Sequence, residues 1–247
     1  MKPLLEQARD KLRRKRVIAV MSGKGGVGKS VIASLLALSM EGATLIDLDL
    51  GSMSIPKLFG LSGKFHKVEK RGIEPLVVNK LKIFSLGGIV GDRYVVLPGY
   101  GQAGVVEALL ALADIDDVNI VVIDMPPGMG EELLSLGRIA SYLPVVVSTP
   151  SKVSNKVVKH LVDYLIETGH RPKAFALNMA YLECNGQRVY PFGRGEDAKR
   201  LGESVGARVY EIPIDPSLEE YIGRLHEYQG SVLKAVGNMA RDLIWNF

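Results

Sequence analysis

Gly23-Lys24-Gly25-Gly26-Val27-Gly28-Lys29-Ser30 follows the apolar run Val17-Ile18-Ala19-Val20 and opens a second apolar stretch over residues 28–40. The octet satisfies the spacing G-x-x-x-x-G-K-[ST] between a strand and a helix. Glycines at this spacing let successive backbone N–H groups turn inward around an anion, and the helix N-terminus adds its positive end. Lys29 can then bridge the outer phosphates of a nucleotide, and the Ser30 hydroxyl can ligate Mg²⁺. The candidate phosphate-binding residues are therefore Gly23, Gly25, Gly26, Val27, Gly28, Lys29, Ser30 and Val31. Lys24 is a second lysine, early in the loop. Projecting outward, it can reach phosphates held by a facing subunit, as an arginine finger does in trans; the plainer reading is a solvated loop charge.

Downstream, β-rich runs alternate with helix-length segments. Strands are expected at 44–47, 81–86, 94–97, 118–123, 144–148, 174–178 and 209–212. Helices are expected at 104–113, 131–140, 151–168 and 196–205, and from 216 to the C-terminus. The strand runs are continuously apolar rather than alternating, which marks strands covered on both faces. Strand and helix in alternation call for right-handed crossovers. The fold expected is α/β: a single doubly wound, mostly parallel sheet with helices on both faces, its ligand at the carboxyl ends of the strands.

Acidic residues fall at those ends. In Leu45-Ile46-Asp47-Leu48-Asp49 the two carboxylates, one residue apart, share a side of an extended chain. Beside a phosphate loop they are candidates to order the attacking water and the Mg²⁺ shell, and which of them acts on water stays open. Val121-Val122-Ile123-Asp124-Met125-Pro126-Pro127-Gly128 delivers a third carboxylate from a buried strand, and its prolines stop the strand. No N-K-x-D guanine motif occurs, which disfavours GTP.

Composition sets the outer bounds. Hydrophobic residues at 47% and charged residues at 23% are the balance of an ordinary globular domain. The formal charge of +4 is too small to diagnose nucleic-acid binding. The only cysteine, Cys184, cannot form an internal disulfide, in keeping with a reducing cytoplasm. No apolar run is long enough to span a bilayer. The basic cluster from Lys11 to Arg16 reads as a solvated leader, giving residues 1–15 as leader and 16–247 as one domain.

The string KGGVGKS resembles the deviant phosphate loop of the MinD/ParA/Mrp group of P-loop ATPases, in which the extra lysine, here Lys24, is the signature of ATP-sandwich dimers. Within that group the chain is similar to the Mrp/ApbC branch of iron–sulfur carriers. The markers are the D-x-D of Asp47 and Asp49, Ser54-Ile55-Pro56, D-x-P-P-G at Asp124, Asn178-Met179-Ala180-Tyr181, Tyr190-Pro191-Phe192-Gly193 and Glu211-Ile212-Pro213-Ile214-Asp215. The resemblance implies an ATPase of residues 16–247 that binds ATP and Mg²⁺ and works as a cytoplasmic homodimer, closing face to face on ATP and reopening on hydrolysis. It implies catalytic roles for Lys24, Lys29, Asp47 and Asp49. Mg²⁺ contacts fall to Ser30 and, through water, to Asp49 and Asp124. Contacts near the adenine fall to Asn178, Pro213 and Asp215.

It further implies an iron–sulfur cluster bridged by a C-x-x-C pair from each subunit, and an apo-protein client or assembly partner. The corresponding segment here is Glu183-Cys184-Asn185-Gly186, so Cys184 is the only thiol candidate. A [4Fe–4S] cluster wants four thiolates and a symmetric dimer supplies two. His66, His160, His170 and His226 show no metal-ligand spacing with it. Gly51-Ser52-Met53 replaces the branch's Tyr-Gly-Pro after D-x-D.

The alternative class is a positional ATPase acting on a membrane or DNA. Its membrane form needs an amphipathic C-terminal helix, and Val232, Leu233, Val236, Met239, Ala240, Leu243 and Ile244 recur at helical spacing. A helix docked on the sheet would carry the same stripe. No stable membrane or nucleic-acid binding is expected.

Overall fold

The computed structural model describes residues 2–90 and 99–245. The strand expected at 94–97 lies outside them. The chain begins with helix α1 (Leu4–Leu12), strand β1 (Arg16–Ser22), helix α2 (Lys29–Leu38), strand β2 (Ala43–Asp47) and the short α3 (Ser54–Leu58). A small antiparallel pair, β3 (Val68–Glu69) and β4 (Gly72–Ile73), precedes β5 (Leu76–Val78), β6 (Leu81–Ser85) and α4 (Gly87–Val90). Next come α5 (Gly99–Leu112), β7 (Ile120–Asp124), α6 (Glu131–Ile139), β8 (Leu143–Ser148), α7 (Lys152–Glu167) and β9 (Ala174–Leu177). A hairpin of β10 (Leu182–Cys184) and β11 (Gln187–Val189) is followed by α8 (Glu196–Ser204), β12 (Arg208–Glu211), two 3₁₀ turns and α9 (Ser231–Trp245).

Eight strands form one sheet in the order β12-β9-β8-β1-β7-β2-β6-β5. Every pairing is parallel except that of β5 with β6. The continuous apolar runs fold as expected for strands covered on both faces. Ile18 and Val20 of β1 enter one core with α2 and α9, while Val17, Ala19 and Met21 enter the other with α1, α5, α6 and α7. The doubly wound sheet places β1, which feeds the phosphate loop, between β7 and β8.

Three segments depart from the expectations. The basic leader is not simply solvated. It forms α1, whose Ala8 and Leu12 are buried in the second core. Lys15 donates to the Ile115 and Val118 carbonyls, at 2.6 and 2.7 Å, and Lys11 to that of Ala113, so the lysines seal the bottom of the sheet. The 216–247 segment is not one helix. Two 3₁₀ turns, Pro216–Tyr221 and Leu225–Glu227, come first, with Gly223 at φ 93° between them. The β10–β11 hairpin had no counterpart in the expected series. Its two-residue loop, Asn185-Gly186, has φ of 49° and 74°, the positive pair a type I′ hairpin requires.

The apolar stripe of α9 faces inward. Val236, Met239 and Ala240 are fully buried against the core that also holds α2. The membrane form of the positional reading therefore loses the surface it needs. No helix among the described residues is long and apolar enough to cross a membrane.

Asp215 fixes the start of this C-terminal region. It accepts from the Ser217 amide and hydroxyl, from Tyr228 Oη at 2.6 Å and from the Ser231 amide and hydroxyl. Burial alone would raise its carboxyl, but these donors outweigh burial and hold it well below the usual carboxylate range. A depressed carboxylate contributes stability above its unfolded pKa and loses it as pH falls toward the folded one. Asp215→Ala should therefore cost about 1–2 kcal/mol in urea unfolding at pH 7, with a smaller difference from wild type below about pH 4.

Candidate nucleotide-binding site

The carboxyl ends of β1, β7 and β2 open a cleft of about 650 Å³. The loop from β1 to α2 forms its floor. Gly26 and Gly28 take φ of 76° and 81°, conformations that favour glycine. At Gly28 a Cβ would also collide with the Asn178 amide, whose Nδ2 donates to the Val27 carbonyl at 2.8 Å. Ser22 ties down the other end, donating to the Lys24 carbonyl at 2.9 Å and accepting at its own carbonyl from the Gly128 amide at 2.8 Å. The cradle is held from three strands.

Lys29, Ser30, Val31 and Asp49 line the cleft together with Lys24 to Gly28. Gly23 lies behind, packed on the backbone of Val157 and Val158 in α7. Lys29 is buried, and its Nζ lies 2.6 Å from Asp124 Oδ1 and 3.5 Å from Asp49 Oδ2. Asp124 is fully buried and its Oδ2 has no partner among the described residues. Burial pushes its carboxyl up, and the Lys29 ammonium pulls it back. The unpartnered Asp124 Oδ2, with Asp49 and the Ser30 hydroxyl nearby, is the hard-oxygen set that suits Mg²⁺.

The two aspartates at the end of β2 separate. Asp49 lines the cleft, whereas Asp47 is turned away and buried at 1% exposure. Asp47 accepts from Ser85 Oγ at 3.0 Å and from the Asp49 amide at 3.0 Å. Burial, then the Asp124 carboxylate, raise its pKa, with Lys29 opposing. Lys24 is half-buried, lines the same cleft, and has no hydrogen-bonding or ionic partner for its side chain among the described residues.

Asn178, Pro213 and Asp215 do not line the cleft: Asn178 is spent on the Val27 carbonyl, Pro213 is buried just past β12, and Asp215 is held as a cap. Cys184 is exposed on the β10–β11 hairpin. Among the described residues no three His, Cys, Asp or Glu side chains group as a metal site. The residues present do not fit a resident cluster.

Three site residues escaped the sequence. Ser85, at the end of β6, holds Asp47; its strand-end position was the available signal. Gln102 of α5 and Glu132 of α6 line the cleft from ordinary helical positions that no spacing distinguishes.

Comparisons with known proteins agree with this geometry. A family model described as ParA, NUBPL iron-transfer P-loop NTPase, matches residues 13–242. The chain is 30% identical over 215 residues to an iron–sulfur cluster carrier protein of Saccharolobus solfataricus, covering 82% of this chain and 72% of that one. It is 32% identical to the chloroplastic Fe-S cluster assembly factor HCF101 of Oryza sativa but spans only 39% of that protein. Among solved structures, a nucleotide-binding protein of Archaeoglobus fulgidus in complex with ADP superposes with a TM-score of 0.80 at 31% identity, over 93% of this chain and 96% of that one. The chain belongs to the NUBPL iron-transfer family of ParA-type P-loop NTPases.

Proposed function

We propose that the protein binds ATP with Mg²⁺ and hydrolyses it as a homodimer, in the service of iron–sulfur cluster carriage or assembly for apo-protein clients. The observation that carries the reading is the pairing of a committed lysine with a free one. Lys29 lines the cleft with its ammonium on Asp124, and Lys24 faces the same space with no partner among the described residues. The family and the ADP-bound Archaeoglobus relative support the nucleotide.

In this reading Lys29 leaves Asp124 for the β- and γ-phosphates, while loop amides and the α2 N-terminus bind the remaining charge. Mg²⁺, when bound to Ser30 and through water to Asp124 and Asp49, neutralises phosphate charge. Asp49 lines the cleft and is assigned the attacking water; Asp47 is a positioning residue that fixes Asp49 through its amide. Lys24 reaches the partner's nucleotide. Iron–sulfur clusters are cargo here: with one exposed thiol per chain, the remaining ligands come from client or assembly partner.

Lys29→Ala should weaken both nucleotide binding and turnover. Lys24→Ala should retain binding, measured with a fluorescent nucleotide, and lose about a thousandfold or more in phosphate release. Wild-type turnover in Lys24→Ala would end the in-trans mechanism.

The raised Asp47 pKa gives a separate expectation. Its contribution to stability is full below the unfolded carboxylate pKa and is lost as pH rises through the folded one. Asp47→Asn, nucleotide-free, should therefore gain on wild type in urea unfolding as pH rises above about 5, by up to about 1.4 kcal/mol per pH unit. A gap that does not widen with pH contradicts the burial assigned to this carboxyl.

Anaerobic reconstitution tests the cargo role. Wild type and Cys184→Ala desalted without an acceptor should both retain little iron. A stable, Cys184-dependent cluster in the isolated protein would overturn it.

A further inference from the structure

The sheet ends at β12, and that end is unusually open. Arg208 and Ile212 donate their amides inward, to the Lys173 and Leu177 carbonyls at 3.0 Å each. The phase of a parallel ladder then turns the N–H and C=O groups of Val209 and Glu211 outward. No other strand among the described residues pairs with them. β12 is short, four residues with Arg208 and Glu211 at its ends, and carries no proline or glycine to block pairing along its edge.

A groove of about 520 Å³ runs along this edge, between α9 and the β10–β11 hairpin. Its charge is lopsided. The two carboxylates in it are already engaged: Glu211 by Lys199 Nζ at 2.7 Å, and Asp242 by Arg208 at 2.6 Å and Tyr210 Oη at 2.8 Å. Arg188 stacks 4.0 Å above the Tyr181 ring, with only long contacts of 3.8 and 3.9 Å to Glu211 and Glu183. Arg241 bonds the Asn238 side chain and has no carboxylate partner among the described residues. Two guanidinium groups therefore flank unpaired strand backbone.

We propose that the outer edge of β12 docks an extended, acidic segment of a partner protein, added to the sheet as a further strand. Main-chain bonds to Val209 and Glu211 supply the attachment, and Arg188 and Arg241 select carboxylates on alternate residues of the segment. The docked segment would lie beside the hairpin that carries Cys184. The proposal stands on the edge geometry and is independent of the ATPase reading.

A randomised octapeptide library, displayed and selected against the full chain, tests it. Enriched peptides should be β-prone with Asp or Glu at alternate positions. A synthesised winner should slow hydrogen exchange at the Val209 and Glu211 amides at least tenfold. Arg188→Glu with Arg241→Glu should weaken that peptide at least tenfold, and Arg188→Lys with Arg241→Lys should restore most of its binding. Charge-indifferent selection, or binding without protection of those two amides, overturns the proposal. So does protection that grows on concentrating the protein alone, which would give the edge to a second copy.

Discussion

Lys29 sits where the carboxyl ends of two adjacent parallel strands, β2 and β7, deliver three carboxylates, and its single charge has to satisfy them. Asp47 and Asp124 are register partners across β2 and β7, so the sheet itself forces their proximity. Asp49 follows two residues beyond Asp47. Buried carboxylates without compensation cost several kcal/mol each, and one ammonium group cannot offset all of them. The structure resolves the conflict unevenly. Asp124 takes the ammonium at 2.6 Å, Asp49 stays at the cleft wall, and Asp47 turns back to Ser85 with its neutral form favoured.

In the proposed function that uneven division couples the parts of the site: phosphates that drew Lys29 away from Asp124 would leave that carboxylate free for a cation. The loop that positions Lys29 is held by Asn178, just past β9, and by Gly128, beyond β7 and next to the Pro126-Pro127 segment that lines the cleft.

The cysteine stands apart from this machinery. Cys184 and Gln187 are paired across a two-residue turn whose Asn and Gly both need positive φ. In a C-x-x-C pair starting at Cys184 those two turn residues would be the spacer, and Gln187 stands where the second cysteine would. The hairpin presents one exposed thiol beside an arginine-lined groove.

The phosphate loop, the parallel sheet and the three aspartates were legible in the chain, because each rests on local rules: glycine spacing, uninterrupted apolar runs, and acids at strand ends. A helical stripe, by contrast, reports only that one face is apolar. That α9 buries Val236 and Met239 in the core, and that the basic α1 hides Ala8 and Leu12, depended on which surfaces the folded sheet left uncovered. The same holds for the aspartate pair. Alternation puts Asp47 and Asp49 on one side of a strand, but the chain leaves β2 after Asp47, and only then does one carboxylate face Ser85 and the other the cleft. Local sequence set which chemistry was present; long-range packing and the sharing of one buried charge decided which residue performs it.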